Sequence, residues 1–144
     1  MSVAGDIIIP SSKESSRVLD KVLYQGILEE LNKQQGQTFT KGEAESLTEL
    51  SLYLYADERL NNKKVPVKTF KGIHYLKNLE RLTVNGYMLT KIKGMEPLPK
   101  LKYLNLKYNK LKDVKFVKNF KNLEDLDLTE NHVASLAGIG KLKN

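Results

Sequence analysis

The chain has 144 residues, a formal net charge of +7 and no cysteine. That length suffices for one domain with a continuous core, and the lack of cysteine excludes disulfides, thiolate metal sites and thiol nucleophiles. There is no run of about 18 apolar residues, so the sequence predicts no membrane-spanning helix.

Residues 1–46 do not repeat, and they predict an α-helical N-terminal cap. Ser11 and Glu14 have the spacing of a capping box. The apolar residues at positions 18–31 then recur at helical spacing. We therefore expect an amphipathic helix that runs to about Gln35 and ends near Gly36.

A second, shorter helix is predicted directly before the first strand. Thr40 and Glu43 have the spacing of another capping box, and this helix is expected to run through Ser46. Together the two helices would cover the open end of a repeat array. Residues 1–46 carry a net charge of −2 and residues 47–144 carry +9, so the basic excess belongs to the part that follows.

The first strand is predicted in the Leu-x-x-Leu-x-Leu pattern of residues 47–52. The step from Leu47 to Leu79 is longer by ten positions than the 22-residue step between the later units. We therefore expect an insertion at about residues 53–65, which would emerge as a loop on one face of the array. The alternative is a degenerate strand at residues 60–62, which would place Asn62 in the core.

Three 22-residue units follow without a gap and open at Leu79, Leu101 and Leu123. Such self-similarity is the signature of leucine-rich repeats, in which each unit supplies a short strand to a parallel sheet and returns by a turn or short helix. The regular repeats are residues 79–100, 101–122 and 123–144. The predicted fold is an α/β leucine-rich-repeat solenoid, one continuous structure with the parallel sheet on its concave face and the helical cap at its N-terminus.

Two asparagines occupy the same register where the chain leaves the strands. Asn109 and Asn131 are separated by one full repeat. A buried amide at this position can bond backbone groups that a turning chain leaves unpaired, so stacked copies predict a structural asparagine ladder. Tyr87 takes this place in the first repeat, where we expect a less regular loop.

Glycines recur in the returning halves of the units, at Gly72 and Gly94. Glycine at a fixed register indicates positive φ or a close approach of the backbone. Phe116 occupies the corresponding position one repeat later. We expect Phe116 to be either partly exposed on the outer face or accommodated by a changed turn.

The concave face is predicted to bind a partner protein. Alternation along each strand sends one side chain to the core and the next to solvent. The outward set contains tyrosines and an arginine, which are enriched in protein interfaces. The candidate binding residues are Glu49, Ser51, Tyr53, Arg81, Thr83, Asn85, Tyr103, Asn105, Lys107, Asp125, Asp127 and Thr129.

Lysines dominate the returning halves and are expected on the convex face. One interpretation is a solvated surface that keeps the solenoid soluble. The other is a patch for wall polymer, acidic glycan or nucleic acid. No nucleic-acid-binding motif accompanies them, so nucleic acid is not the predicted partner. The lysines are Lys68, Lys71, Lys91, Lys93, Lys112, Lys115, Lys118 and Lys121.

No catalytic, metal or cofactor site is predicted. His74 and His132 are the two histidines, and neither has a serine-containing or metal-ligand motif beside it. Asp125, Asp127 and Glu130 offer carboxylates to a cation, but no loop is arranged to wrap an ion. The sequence therefore predicts a binding module, not an enzyme.

The cap and the repeats together resemble a known family. The resemblance lies in Ile-Pro at 9–10, the amphipathic helix, Phe-Thr-Lys-Gly-Glu at 39–43, Leu-Thr-Glu-Leu-Ser-Leu at 47–52 and the 22-residue repeats. These features look like those of internalin-type proteins. The resemblance implies a surface-exposed or secreted protein of Gram-positive bacteria that binds host or cell-surface proteins through its concave face. The sequence has neither a signal peptide nor a wall-anchoring end, and a cytoplasmic location stays open.

The end of the chain carries a further expectation. The third repeat closes at Asn144, which would leave Leu136, Ile139 and Leu142 without a neighbour to cover them. An open strand edge beside uncovered apolar residues predicts a homodimer through the C-terminal repeat. The alternative is that the chain is the N-terminal part of a longer repeat protein.

Overall fold

The computed structural model describes residues 7–10, 19–53, 67–86 and 88–134. A small N-terminal part precedes a four-stranded parallel sheet. In the N-terminal part, β1 (Ile8–Ile9) pairs antiparallel with β2 (Phe39–Thr40), and the helices are α1 (Lys21–Glu30) and α2 (Lys41–Ser46). Within the described ranges, no helix is long and apolar enough to cross a bilayer.

Helix α1 begins later than the sequence pattern predicts. Asp20 has an extended backbone (φ −52°, ψ 144°), and its side chain accepts hydrogen bonds from the N–H groups of residues 22 and 23, at 2.8 and 3.4 Å. This N-cap starts the helix at Lys21. The prediction of one helix continuing from residue 11 is therefore wrong at Asp20. The predicted capping box at residues 11–14 lies outside the described residues.

Helix α1 also ends earlier than predicted, at Glu30 and not at about Gln35. Asn32 adopts a positive φ of 58°, and the N–H groups of residues 32 and 33 donate to the carbonyls of residues 29 and 28. This Schellman motif satisfies terminal carbonyls and turns the chain, with asparagine in the position that glycine most often takes. Gly36 also has a positive φ, of 90°, but it lies in a separate turn beyond the helix.

The capping box of α2 is confirmed. The Thr40 hydroxyl accepts from the Glu43 N–H at 3.1 Å, and the Glu43 carboxylate accepts from the Thr40 N–H at 3.0 Å. The helix runs through Ser46 as predicted. The Lys33 ammonium lies 2.9 Å from the same carboxylate, and its hydrogen bond, more than that of Thr40, lowers the pKa of Glu43 from its ordinary value.

The parallel sheet has four strands that neighbour one another in chain order. They are β3 (Glu49–Tyr53), β4 (Arg81–Asn85), β5 (Tyr103–Asn105) and β6 (Asp125–Asp127). The register places Leu50, Leu82, Leu104 and Leu126 side by side, which confirms the longer first step and the two 22-residue steps after it. β3 pairs directly with β4, and residues 60–62, where the alternative strand is predicted, lie outside the described residues. Residues 54–66, which hold most of the predicted insertion, lie outside the described residues.

Alternate strand residues fill the core, and α1 packs against β3. Gly26 of α1 lies so close to the Leu52 side chain that a Cβ there would require Leu52 to move. Nearby, the Glu30 carboxylate accepts a hydrogen bond from the Ser51 N–H at 3.0 Å. A helix side chain therefore satisfies a backbone donor of the outermost described strand, which would otherwise be open for pairing. The inward residues of the first three strand segments are buried: Leu50, Leu52, Leu82, Val84, Leu104 and Leu106.

The asparagine ladder lies where the chain leaves β5 and β6. Asn109 is 3% exposed. Its Nδ2 donates to the carbonyls of Val84 at 2.8 Å and Leu106 at 2.9 Å, and its Oδ1 accepts from the Leu89 N–H at 3.2 Å. Asn131 repeats these bonds one unit later, at 2.8, 3.1 and 3.0 Å. Each amide ties its own loop to the preceding repeat, as the sequence predicts.

The returning halves agree with the glycine pattern and show how Phe116 fits. Gly72 and Gly94 have φ values of 93° and 72°. A three-residue 3₁₀ helix, Ile73–Tyr75, follows Gly72, whereas a five-residue 3₁₀ helix, Lys115–Asn119, contains Phe116. Phe116 is only 7% exposed. The changed turn is confirmed, and outward exposure of this ring is wrong.

The third repeat is described only through Ala134. Leu126 is half-buried, whereas the equivalent Leu104 is 2% exposed. Among the described strands β3 and β6 each have a neighbouring strand on one side alone, but α1 packs against β3, where Leu50 is fully buried. Leu136, Ile139 and Leu142 lie outside the described residues, so the homodimer stays a prediction.

Candidate functional site

The twelve predicted binding residues form a grid on one face of the sheet, and none of them is buried. We call this grid the concave face. The strand register aligns a first row of Glu49, Arg81, Tyr103 and Asp125, and a second row of Ser51, Thr83, Asn105 and Asp127. The third row consists of Tyr53, Asn85, Lys107 and Thr129. Its last two members lie beyond the strands and are held by the bonds from the Gly86 N–H to the Lys107 carbonyl and from the Tyr108 N–H to the Thr129 carbonyl.

A stacked pair occupies the middle of the first row. The guanidinium carbon of Arg81 lies 3.9 Å from the centroid of the Tyr103 ring, which is cation–π distance. Arg81 is exposed and Tyr103 is half-buried. Stacking restricts both side chains before any partner arrives, so less conformational entropy is lost on binding. Tyrosine and arginine are also residue types that often dominate interface energies.

Local bonds occupy the carboxylate of Asp127 in the second row. Its Oδ1 accepts from the Thr129 hydroxyl at 2.6 Å and the Thr129 N–H at 3.0 Å. Lys107 Nζ lies 3.4 Å from Oδ2. The hydrogen bonds from Thr129, with a smaller contribution from Lys107, lower the pKa of Asp127 from its ordinary value. This carboxylate is already paired, whereas that of Asp125 has no ion pair among the described residues.

A shallow depression of about 190 Å³ crosses the first two rows. Polar side chains surround it, and Leu82 and Leu104 contribute to its lining. Small-molecule sites usually have about 300–1,000 Å³ and a mostly apolar lining. The depression is smaller and more polar than that, so its shape suits a surface contact better than an enclosed ligand.

Chemistry-bearing side chains do not converge in the part of the chain that the structure describes. No group of three or more His, Asp and Glu side chains there could hold a metal ion. His74 Nδ1 lies 2.9 Å from the Glu96 carboxylate, which also accepts from the Gly72 N–H. This histidine therefore links two returning segments. His132 is exposed.

Sequence reasoning missed a second column of polar contacts, in the turns that precede the strands. Asn78 Nδ2 donates to the Glu45 carbonyl at 2.7 Å, and Lys100 Nζ donates to Asn78 Oδ1 at 2.8 Å. Asn122 Nδ2 donates to the Pro99 carbonyl at 2.7 Å. Asn78, Lys100 and Asn122 recur at 22-residue spacing, which was the available signal. We call them the outer polar column.

Two exposed apolar side chains beside the concave face were also missed. Met88 and Tyr108 are 52% and 60% exposed, and their φ values are 54° and 60°. Gly86, Tyr108 and Glu130 share positive φ at 22-residue spacing. The loop of the first repeat adds Met88 to this set, which agrees with a less regular loop. Tyr87 itself lies outside the described residues.

The eight predicted lysines of the returning halves are all exposed. The segments 67–76, 89–100 and 111–122, which we call the convex face, hold nine lysines and two carboxylates, a net charge of +7. Both carboxylates already make local bonds. Glu96 accepts from the Gly72 N–H, and Asp113 accepts from the Lys115 N–H at 3.1 Å. The convex face is therefore strongly cationic.

Comparison with known proteins supports the same fold. A family model of leucine-rich repeats in two copies matches residues 99–144. Internalin C2 of Listeria monocytogenes is structurally similar, with a TM-score of 0.70 and 24% identity over 87% of this chain and 51% of that one. Internalin F of the same species has a TM-score of 0.66 and 31% identity over 85% of this chain and 34% of that one. The chain has a leucine-rich-repeat fold similar to that of these internalins, of which it spans about half the length or less.

Two curated relatives are similar to part of this chain. The 187-kDa microtubule-associated protein AIR9 of Arabidopsis thaliana is 32% identical over 87 residues, which are 59% of this chain and 5% of that protein. Acidic leucine-rich nuclear phosphoprotein 32 family member A of Drosophila melanogaster is 38% identical over 78 residues, which are 51% of this chain and 30% of that protein. The chain thus spans less than a third of either relative.

Proposed function

We propose that this chain is a protein-binding module that recognises its partner through the concave face. The stacked Arg81–Tyr103 pair carries the proposal, because it places two large, restrained side chains at the centre of an accessible sheet. Flanking polar side chains supply hydrogen-bond donors and acceptors for the rim of such a contact. The role is binding by shape and charge, without catalysis.

The similarity to internalins supports a location on the surface of a bacterium or in its surroundings, with a host or cell-surface protein as partner. The curated relatives include a microtubule-associated protein and a nuclear phosphoprotein. Since proteins with such different names are similar to parts of this chain, the similarity does not by itself identify a partner. The identity of the partner therefore depends on the outward residues of this chain.

Alanine substitution in the first row tests this proposal. With a partner obtained by affinity capture and then purified, Arg81→Ala and Tyr103→Ala should each weaken binding by more than about 1 kcal/mol, roughly fivefold. Lys21→Ala is the matched control, because Lys21 is an exposed cation on α1, away from the sheet face. Circular dichroism checks that all three variants are folded. Unchanged affinity in both first-row variants would reject the concave face as the site.

A second candidate function is binding of a wall polymer or acidic glycan through the convex face. Its support is the net charge of +7 on segments whose two carboxylates are already bonded. Exposed lysines attract any polyanion at low salt, and screening weakens this attraction over about 8 Å at physiological ionic strength. Retention on heparin should therefore be lost before physiological salt is reached. Retention that persists there would favour this second function.

A further inference from the structure

The first row of the concave face has an alternating charge pattern. Glu49 lies on β3 at one side of the described sheet, and Asp125 lies on β6 at the other side. Arg81 and Tyr103 lie on the two middle strands, β4 and β5. We call these four residues the charged row. From one side to the other it presents an anion, a cation stacked on an aromatic ring, and a second anion.

The stack places the positive charge near the middle of the row. The Arg81 guanidinium carbon lies over the Tyr103 ring, between β4 and β5, and does not turn back towards Glu49. A guanidinium that stacks through its face keeps its N–H groups available at its edges. Those edges can bind a carboxylate with two parallel hydrogen bonds.

None of the three charges of the row is in an ion pair within the described part of the chain. The next row differs, because Asp127 there is bonded to Thr129 and Lys107. Charges available to a partner are thus concentrated in one row. The depression that crosses this row is also lined by Thr83 and Asn105, whose side chains can bond the backbone of a bound segment.

The spacing of the row matches an extended polypeptide. Neighbouring strands lie about 4.8 Å apart, so Glu49 and Asp125 are separated by about 14 Å across three steps. In an extended segment, residues i, i+2 and i+4 face one side and span about 13–14 Å. Resting on the proposed function, we infer that the concave face binds an extended segment of a partner protein with a basic–x–acidic–x–basic pattern, lying across the strands.

Paired peptides of opposite charge order test this inference on the full chain. The probes are Lys-Thr-Glu-Thr-Lys and Glu-Thr-Lys-Thr-Glu, both with blocked ends, titrated at low ionic strength and followed by NMR. The first should shift the signals of the charged row and bind about tenfold more tightly than the second, since several exposed ion pairs, each weak alone, act together with the first peptide and are replaced by repulsion with the second. Equal binding, shifts elsewhere, or no shift with either peptide would overturn the inference.

A charge-reversed variant makes the test independent of any loss of structure. The triple variant Glu49→Lys, Arg81→Glu, Asp125→Lys should prefer the second peptide, while Glu29→Lys, an exposed reversal on α1, should keep the original preference. Failure of the inference is separable from failure of the proposed function. Peptides that do not discriminate, alongside a partner protein whose binding is lost in Tyr103→Ala, would reject only the peptide pattern. Unchanged partner binding in Tyr103→Ala and Arg81→Ala would reject the concave site itself.

Discussion

Two columns of polar side chains join the repeats of this chain, and they differ in burial. The asparagine ladder, Asn109 and Asn131, lies where the chain leaves the strands, and Asn109 is 3% exposed. The outer polar column lies in the turns before the strands, where Asn122 and Lys100 are exposed. Both columns follow the 22-residue period, and both bond backbone or side-chain groups of a neighbouring repeat.

The difference shows how burial restricts residue choice. A buried site needs a side chain that both donates and accepts, because water cannot replace a missing bond. Asparagine satisfies this need at Asn109. In the outer column, water is available to any group left unpaired, so lysine stands at position 100 where asparagine stands at 78 and 122. The following predictions test this contrast.

The largest effect is expected for Asn109→Ala. The change leaves the buried carbonyls of Val84 and Leu106 and the Leu89 N–H without their partner. We expect a loss of about 3–4 kcal/mol in the free energy of unfolding, because each buried unsatisfied group costs about 1–3 kcal/mol. Urea denaturation followed by circular dichroism measures it. A loss below about 1 kcal/mol would show that water enters this loop.

Gly94→Ala should lower the free energy of unfolding by about 2–3 kcal/mol, although Gly94 is exposed. Its φ of 72° is unfavourable for alanine, and a Cβ would also meet Thr69 Oγ1. Gly36→Ala is the matched control, since Gly36 has a φ of 90° and no atom within 4 Å of the position that an alanine methyl would take. The control should lose only the conformational part, about 1–2 kcal/mol. If thermal or urea unfolding shows equal losses for Gly94→Ala and Gly36→Ala, the contact of the new Cβ with Thr69 does not contribute.

Asn131→Ala should destabilise the protein less than Asn109→Ala, by about 1–2 kcal/mol. Asn131 makes the same bonds, but it is half-buried. Water can therefore replace part of what the amide supplied. The two variants measured side by side give the effect of burial at constant chemistry. Identical losses would contradict our account of the ladder.

Asn122→Ala should change the free energy of unfolding by less than about 0.5 kcal/mol, as exposed substitutions usually do. Its bond to the Pro99 carbonyl, at 2.7 Å, is exposed to solvent. Asn122→Lys, which imitates position 100, should be equally neutral. A loss comparable to that of Asn131→Ala would mean that the outer column is a second structural ladder.

The smallest effect is expected at Asp127, which is half-buried. Its pKa in the folded chain is lowered from the ordinary value of 3.8, chiefly by the hydrogen bonds from Thr129. The ionised carboxylate therefore stabilises the fold above that value, and the contribution is lost as pH falls through the lowered pKa. Asp127→Asn should be slightly less stable than the parent at neutral pH, and the two should converge in acid. If the difference in free energy of unfolding between Asp127→Asn and the parent became larger in acid, the lowered pKa of Asp127 would be contradicted.

Sequence patterns predicted most of the fold, and their failures have identifiable causes. The 22-residue spacing predicted the strand register from Leu82 to Leu126, and the longer step from Leu47 to Leu79 predicted the pairing of β3 with β4. Helical periodicity misplaced both ends of α1, because the spacing of apolar residues indicates which face of a helix is buried but not where the helix begins and ends. Asp20 and Asn32 ended the pattern through bonds that depend on local backbone conformation.

The candidate site, like the fold, was predicted from the sequence in part. Period-two alternation was sufficient to name the outward residues, since a pleated strand allows no other arrangement. It gave no information on which of them contact each other. That Arg81 leans onto Tyr103 depends on the lateral packing of strands from successive repeats. Asp127 is bonded chiefly within its own repeat, to Thr129, which alternation along the strand does not report.

By itself, the sequence determined that this chain forms stacked strands with an inward apolar side, an outward polar side and asparagines in the loops. Those features follow from residue type and spacing, which act within one repeat. Only the tertiary structure decided where α1 begins and ends, how Phe116 is buried, and which charges of the concave face remain open to a partner. The ends of α1 depend on hydrogen bonds that Asp20 and Asn32 make locally, whereas the other outcomes depend on packing within and between repeats. In each case distance, burial and competition for hydrogen bonds select one arrangement among several that the sequence permits.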